Sequence, residues 1–251
     1  MYAICAAAEG AKVIEVPTNN DFAFPTQELL DQVNPRTRFI AIANPNNPTG
    51  SVAAHADLIR IVQEAPQAAV LIDEAYFEFH GESLIDQVGC YPSLFVARTF
   101  SKAYGLAGLR AGVLTGDAEQ MATVRRVASP YNVNAAALAV LPAAVADQLY
   151  VRTYLAEVLH NRMLLERTLD DLGLRHWPSQ ANFVLVHVGR RHEDFVRSMS
   201  ERGVLVRDRS NDPGCDGCVR MTVGTDKDMR ILLPALQSVV EELGLRSEAR
   251  A

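Results

Sequence analysis

The stretch Ala97 to Gly112, A-R-T-F-S-K-A-Y-G-L-A-G-L-R-A-G, sets one lysine, Lys102, directly after Ser101 in a segment with little other charge. Three glycines (Gly105, Gly108, Gly112) and Arg110 follow shortly. The apolar run Ser93-Leu94-Phe95-Val96-Ala97 leads in as a buried strand does. A lysine at the carboxyl end of such a strand points into the crevice where open α/β sheets bind ligands. Two other strand ends deliver different chemical types to the same crevice: Asn47 in N-P-N-N-P-T-G, and Asp73 with Tyr76 in D-E-A-Y. An amine, a carboxylate, a phenol, an amide, a hydroxyl and a guanidinium are the types that acid–base chemistry and anion binding draw on. Taken alone, Lys102 reads as an ordinary solvated lysine in a surface turn; the joint arrangement decides otherwise.

The elements that must position these residues can be read in order. Tyr2 to Ala8 is helix-like and stops at Gly10, as a helix does at a C′ glycine. Lys12 to Pro17 reads as a short strand, and Thr26 as the cap of a helix carrying Leu29, Leu30 and Val33. Phe39 to Ala43 is a continuous apolar run, the mark of a strand buried on both faces, and it ends in the dense turn signal of residues 44–50. A helix over Ala54 to Glu64 and a strand over Ala69 to Ile72 follow. Alternating strands and helices imply βαβ units and a mainly parallel sheet. The loop from Arg98 to Arg110 is glycine-broken and short for a parallel crossover, so Ala111 to Thr115 is expected to run antiparallel.

Asp117 then caps a helix to about Ala128, residues 129–132 break it, and the alanine-rich Asn134 to Ala146 reads as a buried helix. Tyr150 to Leu172 is long and amphipathic, with Leu155, Val158, Leu159, Leu165 and Leu169 on one stripe. Beyond it come strands at Phe183–Val188, Val204–Arg207 and Val219–Val223, and helices at Glu193–Arg202 and Asp228–Leu243. The fold class is therefore α/β. A large domain (residues 1–148) carries a mainly parallel sheet with one antiparallel strand, and a smaller α+β domain (149–251) follows.

Composition narrows the function. With 251 residues, 49% hydrophobic and 22% charged, the chain can bury a substantial core. A net charge of −6 argues against nucleic acid or an anionic membrane as partner. No apolar run approaches the roughly 18 residues of a membrane span, and no secretory leader opens the chain, so the expected compartment is the cytoplasm. Cys215 and Cys218 form a C-x-x-C, but no second ligand pair accompanies it and an apolar strand follows. They read as loop cysteines, with no metal site.

The motifs together resemble the fold-type I (class I/II) pyridoxal-phosphate-dependent aminotransferases, and most closely the histidinol-phosphate aminotransferases. The likeness runs through the opening M-Y…E-G, N-P-N-N-P-T-G, D-E-A-Y-F-E-F, R-T-F-S-K-A-Y-G-L-A-G-L-R-A-G, G-V-L-V-R-D and C-V-R-M-T-V-G-T. It implies pyridoxal 5'-phosphate as cofactor, with Lys102 bonding its aldehyde and serving as acid and base. It implies that Asp73 keeps the ring nitrogen protonated; at an effective dielectric of about 20, a charge pair at about 4 Å is worth roughly 4 kcal/mol. Tyr76 and Asn47 would hydrogen-bond the ring's 3-oxygen, and Ser101 and Arg110 would hold the phosphate. Arg220 would bind the substrate's anionic end, with Arg207 as a second contact and Asn47 nearby. Glu74 is expected to be a neighbour only, and Tyr131 and Asn182 either line the site or pack.

The implied reaction moves an amino group from a phosphate- or carboxylate-bearing amine, histidinol phosphate first, to a 2-oxo acid such as 2-oxoglutarate, in histidine biosynthesis and within a homodimer. An aromatic aminotransferase and a phosphothreonine decarboxylase share nearly every motif, and a non-catalytic dimeric or partner-bound scaffold is the alternative of another class. Ahead of Met1 the resembling family carries an arm over the site, a phosphate-binding glycine turn and a ring-stacking aromatic. None maps onto this sequence, so the large domain reads as N-terminally incomplete, with an unpaired edge or gap in its sheet; Met1 is either an internal methionine taken as a start, the expected case since the remaining catalytic set is intact, or the start of a true truncation.

Overall fold

The computed structural model describes residues 2–245. Helix α1 (Tyr2–Ala8) ends at Gly10, whose φ of +74° is left-handed. Residues 11–19, expected to hold a strand over Lys12 to Pro17, have no regular structure. A strand needs a partner's ladder, and a cavity of about 790 Å³, lined among others by Val13, Val16, Ile40 and Ile42, opens along this segment. Helix α2 (Thr26–Gln32) has Pro25, not Thr26, at its N-cap, and no side chain caps it. The Thr26 N–H already bonds Phe24 O at 3.1 Å, so the chain has turned one residue before the expected cap.

Strand β1 (Phe39–Ala43), helix α3 (His55–Glu64), strand β2 (Ala69–Asp73), the short helix α4 (Phe77–His80), strand β3 (Leu94–Thr99) and strand β4 (Gly112–Gly116) build the first sheet. Its order is β1-β2-β3-β4, with the first three parallel. The fourth is antiparallel, as the short glycine-broken loop requires. Ile40, Ile42, Val70, Ile72, Leu94 and Val96 pack on Leu58, Ile61 and Val62 of α3. β1 is an edge strand and alternates: Ile40 and Ile42 are buried while Phe39 is 48% exposed. The expectation of burial on both faces fails because Phe39 and Ala41, on the other face, are exposed and border the cavity along residues 11–18.

Asp117 caps α5 (Ala118–Val127) by accepting from the Glu119 and Gln120 N–H groups. Asn134 caps α6 (Ala135–Ala146). The expected burial of α6 is not met: only Ala137 is buried, and Leu138 is 61% exposed. No residue of α6 joins either main core.

Helix α7 (Gln148–Leu172), capped by Asp147 and closed by Gly173, buries Val151, Val158, Leu165, Leu169 and Leu172. After it come β5 (Phe183–His187), α8 (His192–Glu201), β6 (Arg207–Asp208), β7 (Cys218–Thr222) and α9 (Asp226–Leu243). These strands form an antiparallel sheet of order β5-β7-β6. The strand expected from Val204 is shorter, because the Val204 N–H bonds Met199 O at the end of α8 and pairing with β7 begins only where Arg207 faces Arg220. Thr225 and Asp228 form a capping box that starts α9. Val184, Val186, Val219 and Met221 meet α7, α8 and α9 in a second core, which also takes in Tyr76, Phe79 and Ala103 from the first half. No single helix among the described residues is long and apolar enough to cross a membrane.

Candidate active site

The register of the first sheet sets Ala43, Asp73 and Ala97 abreast, so three neighbouring strands end along one line. The ladder continues just past them: the Asn44 N–H donates to Asp73 O at 2.9 Å and the Glu74 N–H to Ala97 O at 2.8 Å. Because β4 runs the other way, its beginning lies beside the end of β3, with Gly112 opposite Thr99. Topology thus brings the Asn47 loop, Asp73, the Ser101–Lys102 turn and Arg110 to one edge.

The loop after β1 is held from within. Asn44 Oδ1 accepts from the Ala53 N–H at 2.8 Å, and Asn46 Nδ2 donates to Thr49 Oγ1 at 2.8 Å. Gly50, at φ +75°, packs so closely on Ser179 that a Cβ there would lie 2.1 Å from its hydroxyl, and Gly50 O accepts from the Gln180 N–H at 2.8 Å. Only glycine fits this turn and this approach. The contact carries the loop onto the second half of the chain, where Arg220 Nη1 donates to Asn47 Oδ1 at 2.5 Å.

Asp73 closes β2 with one carboxylate oxygen accepting from the Ala75 N–H at 3.0 Å. The other accepts from the Tyr2 hydroxyl at 2.6 Å, and burial, followed by this bond, raises the Tyr2 pKa above its ordinary value. The sequence offers Tyr2 only as part of the opening M-Y of the resemblance, since nothing local aims α1 at β2. The neighbouring Glu74 is 1% exposed and turned away from Asp73's partners. It takes Arg98 Nε at 2.9 Å, the Ser83 hydroxyl and the Leu84 N–H at 2.8 Å, a structural role as expected of a neighbour.

Lys102 Nζ lies 5.2 Å from the centre of the Tyr76 ring. Tyr76 meets Phe183 edge to face at 5.1 Å, and the Arg220 guanidinium stands 4.9 Å above Phe183. A continuous chain of contacts therefore joins Lys102, Tyr76, Phe183, Arg220 and Asn47 across the two sheets. The Ser101 hydroxyl accepts from Thr99 Oγ1 at 2.9 Å, which adds Thr99 to the residues at this edge. Arg110 has φ +53° at the end of the single turn Ala107–Leu109; its side chain is exposed and donates to Ala107 O at 3.0 Å.

Arg220 lies in the middle of β7, facing Leu185 on one side and Arg207 on the other. Burial, and then the Arg209 and Arg207 charges, lower its pKa, against the influence of Tyr76. Its Nε is buried with no acceptor. Arg207 is exposed, and Tyr131, 92% exposed, does not pack. Cys215 and Cys218 are free, buried against Phe22 and Leu185, and burial pushes the Cys218 thiol up to about 12, so both are packing residues. No cluster suited to a metal ion occurs among the described residues.

The donor set suits pyridoxal 5'-phosphate. Lys102 supplies an amine, Ser101 and Thr99 a hydroxyl pair and Arg110 a cation, while Asp73 is a carboxylate that already accepts a hydrogen bond from the Tyr2 hydroxyl.

Comparison with known proteins agrees. The chain is 35% identical over 246 residues to a histidinol-phosphate aminotransferase of Caldanaerobacter subterraneus subsp. tengcongensis, covering 96% of this chain and 68% of that protein. Its fold superposes with a TM-score of 0.86 on a histidinol-phosphate aminotransferase from Sinorhizobium meliloti in complex with pyridoxal-5'-phosphate, at 28% identity and covering 96% and 68% of the two chains. A likeness of fold alone, with a TM-score of 0.77 at 24% identity over 96% and 74%, extends to an L-threonine-O-3-phosphate decarboxylase from Porphyromonas gingivalis. The chain thus spans about two thirds of the length of these relatives. With the family model for aminotransferase class I and II matching residues 1–236, the chain belongs to the class I and II aminotransferases and is a pyridoxal-phosphate-dependent enzyme.

Proposed function

We propose that this aminotransferase takes the amino group from a phosphate-bearing amine, histidinol phosphate being the first choice, and passes it to a 2-oxo acid such as 2-oxoglutarate, as a step of histidine biosynthesis in the cytoplasm. The observation that carries the reading is Arg220, buried at Nε, held to Asn47 and flanked by Arg207, in contact through Phe183 and Tyr76 with Lys102. That arrangement sets an anion-binding group at a fixed remove from an amine.

When bound, pyridoxal 5'-phosphate supplies an aldehyde and a ring that accepts electrons. Lys102 would anchor it and, once free, carry the proton taken from the substrate's α-carbon. Asp73 would hold the ring nitrogen's proton, Tyr76 and Asn47 would bond the 3-oxygen, and Ser101 and Arg110 would hold the phosphate. Arg220 and Arg207 would orient the substrate's anionic end, and a fixed orientation supplies much of the rate that catalysis needs.

The test is steady-state kinetics with histidinol phosphate, phenylalanine and phosphothreonine as donors. A kcat/KM for histidinol phosphate at least tenfold above the other two is expected. A preference for phenylalanine would replace the substrate assignment, and carbon dioxide release from phosphothreonine would replace the reaction.

A further inference from the structure

Arg209 is one pleat beyond Arg207 on the same face of the strand, and its N–H bonds Cys218 O at 2.9 Å, which extends the β6–β7 pairing. Its guanidinium pairs with Asp212, in a tight turn in which the Asp212 N–H donates to Arg209 O at 2.8 Å. The side chain is only 24% exposed, and its Nε is buried without an acceptor. Arg220 Nε, on the adjacent strand, is buried and equally without one. Arg207, Arg209 and Arg220 thus share one face of the small sheet, and Asp212 is the carboxylate that answers them; Asp208 points elsewhere, taken by His192 at 2.9 Å. Three cations against one carboxylate leave an excess of two positive charges beside two unfilled donors. A monoanionic carboxylate cannot balance that excess, whereas a phosphate monoester, carrying close to two negative charges and three acceptor oxygens, can.

We infer that Arg209, aimed by Asp212, is a specificity-determining residue that makes this site selective for a phosphate monoester over a carboxylate or an unphosphorylated amine. The inference rests on the substrate reading above and deepens it.

The test uses the cofactor-loaded enzyme with histidinol phosphate and histidinol as paired donors, and inorganic phosphate as a competitive inhibitor. In Arg209→Met the KM for the phosphorylated donor is expected to rise about tenfold, more than kcat falls, and the Ki for phosphate to rise in parallel. Arg209→Lys should restore part of both, since it keeps the charge and loses the fork. Thermal melts and the cofactor's visible absorbance check that each variant is folded and loaded. If the native enzyme prefers the phosphorylated donor and Arg209→Met keeps that preference and the phosphate Ki, the assignment to Arg209 is wrong while the substrate reading stands. A native enzyme that does not discriminate the two donors removes both.

Discussion

At the scale of single residues, Asp73 and the turn that carries Lys102 come to one edge because their strands end abreast, and Lys102 is further placed by the buried Ala103 that follows it. Replacing Lys102 by alanine should abolish the covalent label left when pyridoxal phosphate and borohydride are added, a mass change read directly. It should also lower turnover by about 10²–10⁴, the usual worth of a positioned acid–base group. A label on the variant would move the anchoring role elsewhere. His187 behaves differently. Burial, and then nearby Arg175, hold its imidazole below the ordinary range, against Asp216. The folded state favours the neutral ring, so its contribution is present above the unfolded pKa of about 6.5 and is lost as pH falls through the depressed folded value. Thermal melts should show a melting temperature that drops from pH 7 towards pH 5, and His187→Gln should flatten that drop; an unchanged slope would assign the acid sensitivity to another group.

At the scale of elements, the end of β2 is tied to β3 and to the turn at Ser83 by Glu74. One buried carboxylate takes Arg98, the Ser83 hydroxyl and the Leu84 N–H together. Removing one partner of a buried pair leaves the other charge without compensation, at a cost of about 3–5 kcal/mol. Glu74→Ala should therefore shift the urea midpoint markedly down, with Glu74→Gln intermediate, and should disturb Asp73 next door. A midpoint within a few tenths of a molar of the native one would show that Arg98, 22% exposed, finds water instead. The reversal of β4 is equally consequential, since a parallel β4 would have carried Arg110 to the opposite edge. Its direction was legible because a crossover helix needs residues that this loop does not have. The missing strand at Lys12 to Pro17 was not legible: its β-branched Val13, Ile14 and Val16 are residues of a strand, but composition cannot supply a partner ladder.

At the scale of the molecule, the two sheets have separate cores, yet the second draws in Tyr76, Phe79 and Ala103 from the first half. A division into residues 1–148 and 149–251 remains our proposal, supported by the break at Asp147 between α6 and α7. The same break leaves α6 with Leu138, Val140 and Val145 exposed, near Leu149 at 78% exposure. An apolar helix left this exposed marks an interaction surface, and a second copy of the chain is its proposed cover. Sedimentation should find a dimer for the native protein and monomer for a Leu138→Glu, Val145→Glu double variant; a native monomer would remove the proposal.

By itself the sequence determined the order and type of nearly every element and the antiparallel strand, because strand periodicity and turn residues act locally; its motifs, through the resemblance they carry, marked Asn47, Asp73, Tyr76, Ser101, Lys102, Arg110, Arg207 and Arg220 as the proposed site. Only the tertiary structure decided that Tyr2 reaches Asp73, that Gly50 docks on Ser179, that Arg209 stands beside Arg220, and that the alanine-rich α6 faces outwards. Each of these depends on which distant surface lies opposite, and hydrophobicity along a chain says that a face will be covered without saying by what.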